Sequence, residues 1–121
     1  MSAPRILLVD DEPEILEYLG LVFEDYDTES AADAESALAR LRASAFDVLI
    51  TDVRMPGGSG LDLIREAKKI LPAIAVIVIT GHKQEAHEPD GNGIFRWVFK
   101  PFRGEALREI VKQALQDDRR V

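Results

Sequence analysis

The chain has 121 residues, a length that suits one domain whose single core buries roughly two-thirds of the unfolded surface. Its 22 acidic residues outnumber 15 basic ones, and the formal net charge of −7 disfavours a nucleic-acid backbone or an anionic membrane as main partner. Cysteine is absent, which excludes disulfides, thiolate metal sites and thiol nucleophiles, and two histidines, His82 and His87, are too few for a histidine-rich metal centre.

Met1 to Arg5 leads into a strand without a charged-then-apolar signal pattern, and no apolar run approaches the ~20 residues of a spanning helix, so a cytoplasmic protein is expected. No repeat, low-complexity tract or linker divides the chain. It reads as one domain over 1–121, with 117–121 a solvated tail or the start of a linker.

Ile6-Leu7-Leu8-Val9 is a continuous apolar run of the kind found in a strand covered on both faces, and Asp10-Asp11-Glu12 ends it. Pro13 suits the first turn of a helix, and Ile15, Leu16, Leu19, Val22 and Phe23 recur at helical spacing over roughly 13–24. Tyr26 to Ala31 is more polar and is predicted to be an edge strand. Asp33 is the expected N-cap of a second helix carrying Ala34, Ala37, Leu38 and Leu41 on one stripe.

Val48-Leu49-Ile50 forms a third strand that ends in Asp52 and a Met55-Pro56-Gly57-Gly58 turn. Ser59 can cap a third helix running to about Ile70, with Leu61, Leu63, Ile64, Ala67 and Leu71 along its apolar side and Pro72 beyond it. Ala73 to Ile79 holds the most hydrophobic run in the chain, a central strand that stops at Thr80-Gly81. Residues 82–93 show little apolar periodicity, so any helix there is short and confined to about 82–88. Ile94 to Phe99 is a fifth strand ending at Lys100-Pro101, and Leu107, Ile110, Val111, Ala114 and Leu115 mark a last helix. Arg103 stands where a small polar cap would serve that helix, a loss of about 1 kcal/mol.

Alternating strands and helices predict an α/β fold: a parallel sheet with helices on both faces. Right-handed crossovers then require one reversal of direction, which opens a crevice at the carboxyl ends of the strands. Asp10, Asp11, Asp52, Thr80 and Lys100 all fall at those ends. Two carboxylates ~4 Å apart repel by about 4 kcal/mol at an effective dielectric of 20, so clustered aspartates call for a cation or a proton. Mg²⁺ suits oxygen ligands and commonly bridges one or two carboxylates to a phosphoryl oxygen. With the Lys100 ammonium, the Thr80 hydroxyl and the Gly81 N–H nearby, Asp52 is placed to be a nucleophile that forms an aspartyl-phosphate.

These residues resemble the response-regulator receiver domains of two-component signalling. The resemblance is carried by Asp10-Asp11, by Asp52-Val53-Arg54-Met55-Pro56 with Gly60 beyond it, by Thr80-Gly81, and by Trp97 ahead of Lys100-Pro101-Phe102. It implies a five-stranded flavodoxin-like sheet of order 2-1-3-4-5. It also implies that Asp52 accepts the phosphoryl group, and that Asp11, Asp52 and the Arg54 carbonyl ligate Mg²⁺ with Asp10 assisting. Thr80, Lys100 and the Gly81 N–H would hold phosphoryl oxygens, Thr80 and Trp97 would form a switch pair, and the Lys100–Pro101 bond would be cis. The donor would be a histidine kinase, a phosphotransfer protein or a small acyl phosphate, and an output domain or a second copy would receive the signal. Catalysis would extend no further than slow Mg²⁺-dependent self-phosphorylation and self-dephosphorylation.

Trp97 has two readings, a ring half-buried on an edge strand or a moving switch. His82 and Arg54 either tune the lifetime of the phosphorylated state or are simply solvated, and Gly57-Gly58 is turn chemistry. Glu88 to Gly93 stands where such domains continue the helix between the fourth and fifth strands, so that helix is expected to be short or irregular and the output face unusual. Competing functions are a receiver-like interaction module that phosphorylation does not regulate, and a metal-dependent phosphohydrolase, for which Arg54 stands where a general acid would be needed. Flavin binding is disfavoured by the acidic loop after the first strand.

Overall fold

The computed structural model describes residues 4–55, 58–81 and 93–116. Five strands, β1 (Arg5–Val9), β2 (Asp27–Ala31), β3 (Val48–Asp52), β4 (Ala75–Thr80) and β5 (Ile94–Phe99), make one sheet. Every neighbouring pair is parallel and the order is β2-β1-β3-β4-β5, as the resemblance implied. Among the described residues four helices cover it: α1 (Pro13–Val22), α2 (Ala34–Ala43), α3 (Gly60–Ile70) and α4 (Gly104–Gln116). None is long and apolar enough to cross a membrane.

Because successive side chains of a strand point to opposite faces, the sheet divides the core in two. Leu7, Val9, Leu49, Val76 and Val78 meet Ala37 and Leu41 of α2 and Leu63, Ile64 and Ala67 of α3 on one face. Ile6, Leu8, Val48, Ile50, Ile77 and Ile79 meet Leu19 of α1, Phe23, and Leu107, Val111 and Ala114 of α4 on the other. The direction of chain travel reverses between β1 and β3, which puts the crevice between the ends of those two strands.

Several boundaries differ from the periodicity. α1 stops at Val22 because tight turns replace helical bonds: the Glu24 N–H reaches the Leu21 carbonyl and the Tyr26 N–H reaches that of Phe23. β4 starts at Ala75, since the Ile74 N–H still closes a turn on Leu71. A two-residue antiparallel ladder, Arg54–Met55 against Gly58–Ser59, follows β3. The expected short helix over 82–88 and the irregular stretch before Gly93 lie outside the described residues, as do Pro56-Gly57 and the tail.

Two helix starts are secured by side chains. Asp33 caps α2 as predicted, its Oδ1 accepting the Ser36 N–H at 2.7 Å, a bond that holds its carboxyl below the usual range. The missing cap of α4 is supplied from α1, where the Tyr18 hydroxyl accepts the Gly104 N–H at 3.2 Å. A Cβ at Gly104 would sit 2.9 Å from both that oxygen and a Val22 methyl, so any larger residue there displaces Tyr18 or Val22. Arg108 of α4 completes the join by donating to the Val22 carbonyl and, with both nitrogens, to Asp25.

Candidate functional site: an acidic crevice closed by Lys100

β3 is fully buried until its last residue, and apolar up to Thr51, so Asp52 is delivered to the rim by a rigid strand while its carboxylate keeps 12 % of its surface exposed. Asp10, one residue beyond β1, is almost entirely buried at 2 %. Its backbone N–H bonds the Ala31 carbonyl, and its Oδ1 accepts the Glu12 N–H at 2.9 Å. Lys100 reaches across from the end of β5: its Nζ lies 2.8 Å from Asp52 Oδ2 and 3.9 Å from Asp10 Oδ2. The Lys100 N–H is anchored on the Thr80 carbonyl at 2.8 Å, which ties the ends of β4 and β5 together under the ammonium.

Burial pushes the Asp10 carboxyl up to about 6, against the Glu12 N–H and the Lys100 charge, which both favour its ionised form. Lys100 is pulled down by burial, yet the Asp52 hydrogen bond and the charges of Asp52 and Asp10 outweigh that and leave it above its ordinary value. The charge problem posed by converging acids is therefore met, within the chain, by one ammonium shared between two carboxylates.

Asp11 is exposed beyond the end of β1. Among the described residues no three acidic or histidine side chains close around one point, so the aspartates expected to cluster do not form a self-sufficient metal cage. That arrangement still fits Mg²⁺, which keeps several waters and takes only one or two protein carboxylates beside a phosphate. The buried, penalised carboxyl of Asp10 next to Asp52 is the feature that a divalent ion would relieve.

The backbone that carries Asp52 is wedged from behind by α3. The Gly60 N–H donates to the Val53 carbonyl at 2.7 Å, and a Cβ on Gly60 would lie 2.3 Å from the Asp52 carbonyl oxygen. The motif contained Gly60, but nothing in its spacing told that it braces the acid. Thr80 is buried at 1 %, and Gly81 beyond it is open, since a Cβ there would meet nothing within 4 Å. The register pairs Val78 with Trp97 and Thr80 with Phe99, so Thr80, Trp97 and Phe99 share one face of the sheet. Trp97 is half-buried against the α2 and α3 cluster, and Phe99 is 40 % exposed. The Lys100–Pro101 peptide is cis. His82 and the side chain of Arg54 lie outside the described residues. Tyr18 escaped the sequence reading entirely, because an exposed tyrosine on a helix carries no periodic or motif signal.

The sequence model of the response regulator receiver domain matches residues 6–112. The chain belongs to that family. This receiver domain is 38 % identical over 120 residues to the response regulator protein PilR of Pseudomonas aeruginosa, covering 96 % of the chain and 27 % of PilR. Among solved structures it resembles the chemotaxis protein CheY4 of Vibrio cholerae, with a TM-score of 0.86 at 28 % identity over 94 % of this chain and 100 % of that one. It also resembles the response regulator TrrA of Thermotoga maritima in complex with Mg²⁺-BeF, with a TM-score of 0.83 at 34 % identity over 93 % and 99 %. The receiver domain spans about a quarter of the length of the first curated relatives it matches.

Proposed function

We propose that this receiver domain is a signalling switch in the cytoplasm that accepts a phosphoryl group on Asp52 from a histidine kinase or phosphotransfer protein. The observation that carries the proposal is the Lys100 ammonium 2.8 Å from the Asp52 carboxylate at the mouth of the crevice. In the transfer, an Asp52 oxygen attacks phosphorus in line, and the bond from phosphorus to the donor's nitrogen or acyl oxygen breaks with its electron pair leaving on the donor. Lys100, already held at Asp52, turns its charge to the phosphoryl oxygens. The Thr80 hydroxyl and the Gly81 N–H supply hydrogen bonds to them.

Asp10, Asp11, Asp52 and the Arg54 carbonyl would hold Mg²⁺, and the ion would supply charge neutralisation at the phosphoryl group. TrrA, solved with Mg²⁺-BeF, supports that assignment by likeness. The phosphorylated state would be read through Thr80 and Trp97 on their shared face, altering contact with an output domain or a second copy. With a net charge of −7, neither a nucleic acid nor a membrane is the direct partner. Turnover would be limited to slow self-phosphorylation and self-dephosphorylation.

Incubation with acetyl phosphate should add one phosphoryl group by intact mass, only with Mg²⁺ present, and Asp52→Asn should abolish it. Labelling that persists in Asp52→Asn would reassign the acceptor, and multiple turnover of an aryl phosphate would favour a phosphohydrolase.

A further inference from the structure

Beside Lys100 a groove of about 600 Å³ runs along α1, lined by Ile15, Tyr18, Gly81, Lys100, Pro101 and Phe102. That volume lies in the range of small-molecule sites, which are mostly apolar with a few polar groups fixing one end. Here Gly81 and Lys100 make the polar end, and among the described residues that line the groove none is acidic. The rest is hydrocarbon and ring: Tyr18 and Phe102 stand 6.0 Å apart between ring centroids, tilted by 54°, and Tyr18 is 43 % exposed. Tyr18 is fixed there by accepting the Gly104 N–H. Charge and shape together describe an elongated occupant with an anionic head at the acceptor and a flat apolar tail on α1.

We propose that the groove seats the tail of a small acyl phosphate, so that this receiver domain takes phosphoryl groups from aryl acyl phosphates in preference to short alkyl ones. The inference rests on Asp52 being the acceptor. The Asp52 oxygen–phosphorus bond forms, the phosphorus–acyl oxygen bond breaks, and its electron pair departs with the aryl carboxylate. That leaving group is already ionised at neutral pH, so no proton, oxidant or reductant is needed. The tail lies against Ile15, Tyr18 and Phe102 throughout, and its contribution falls on donor binding.

The test compares initial rates of phosphoryl addition to the whole chain from benzoyl phosphate and acetyl phosphate, each well below saturation and with Mg²⁺. A phenyl group seated with ordinary ligand efficiency favours benzoyl phosphate by about tenfold. The ratio between donors should fall toward one in Ile15→Ser and in Tyr18→Ala. Since Tyr18→Ala also loses the α4 cap, a second measurement uses the unaltered protein: benzylphosphonate should compete with acetyl phosphate about tenfold better than methylphosphonate does. Equal rates from the two donors, equal competition by the two phosphonates, or a ratio that both substitutions leave intact would overturn the proposal and leave the groove to a partner's helix. Failure of both donors to label the protein would instead remove Asp52 as acceptor, and the groove proposal with it.

Discussion

Asp10 carries the largest electrostatic penalty described in the site. Its folded value of about 6 stands above the ordinary 3.8, so the folded state holds the proton more tightly than the unfolded chain does. Stability therefore falls as pH rises from about 4 to about 6 and stays reduced above that, by up to about 3 kcal/mol. Lys100, raised above its ordinary 10.5, contributes stability that is fully present below that value, so it does not disturb this window. In EDTA, Asp10→Asn should unfold at higher urea than the parent at pH 7.5, and the gap should close as pH falls toward 4. An asparagine can still accept the Glu12 N–H, so the comparison isolates the charge. A gap that widens toward low pH would contradict the burial account.

At the scale of elements, the junction between β3 and α3 leaves the least room. Gly60 opens α3 with its backbone against the Asp52 carbonyl, and an added methyl must displace either the helix start or the strand end. Overpacking against backbone typically costs about 1–3 kcal/mol, and the whole displacement falls on the residue that carries the acceptor. Gly60→Ala should therefore lower the denaturation midpoint and slow acetyl phosphate labelling more than an equally destabilising change far from the rim, such as Leu41→Ala in α2. Equal slowing at equal stability loss would show that Gly60 is only a packing residue. α1 and α4 are joined differently, by the Tyr18 hydroxyl at one end and the Arg108 fork on Val22 and Asp25 at the other. Those contacts span 83 to 86 residues of sequence, which no local pattern could announce.

For the molecule as a whole, relief of the crevice by a divalent ion should appear as global stabilisation. Mg²⁺ at about 100 times its dissociation constant stabilises the folded state by about 2.7 kcal/mol, which raises the thermal midpoint on the order of 10 °C for a domain of this size. The rise should be blunted in Asp10→Asn, and a midpoint indifferent to Mg²⁺ would count against the proposed ligand set. Much of this architecture was legible in the sequence, because every strand but the polar edge strand β2 is a short, mostly apolar run that stops at or just before a polar residue, and each helix shows a 3.6-residue stripe. The runs placed Asp10, Asp52, Thr80 and Lys100 at one rim correctly, since a parallel sheet leaves the ends of its strands no other place to go. They could not tell which way a side chain at the rim points, so the expectation of three gathered aspartates met an exposed Asp11 and a lysine shared by the other two. Nor could they show the short ladder after β3, whose two-residue arms are too brief to carry a period.

The sheet also works as a wall between two rooms. On the proposed reading, a small acyl phosphate enters by the α1 side, while Thr80 and Trp97 lie on the sheet face that α2 and α3 cover. Sender and listener then need not take turns: a ternary assembly can form in which news crosses the single layer of the sheet without either visitor leaving.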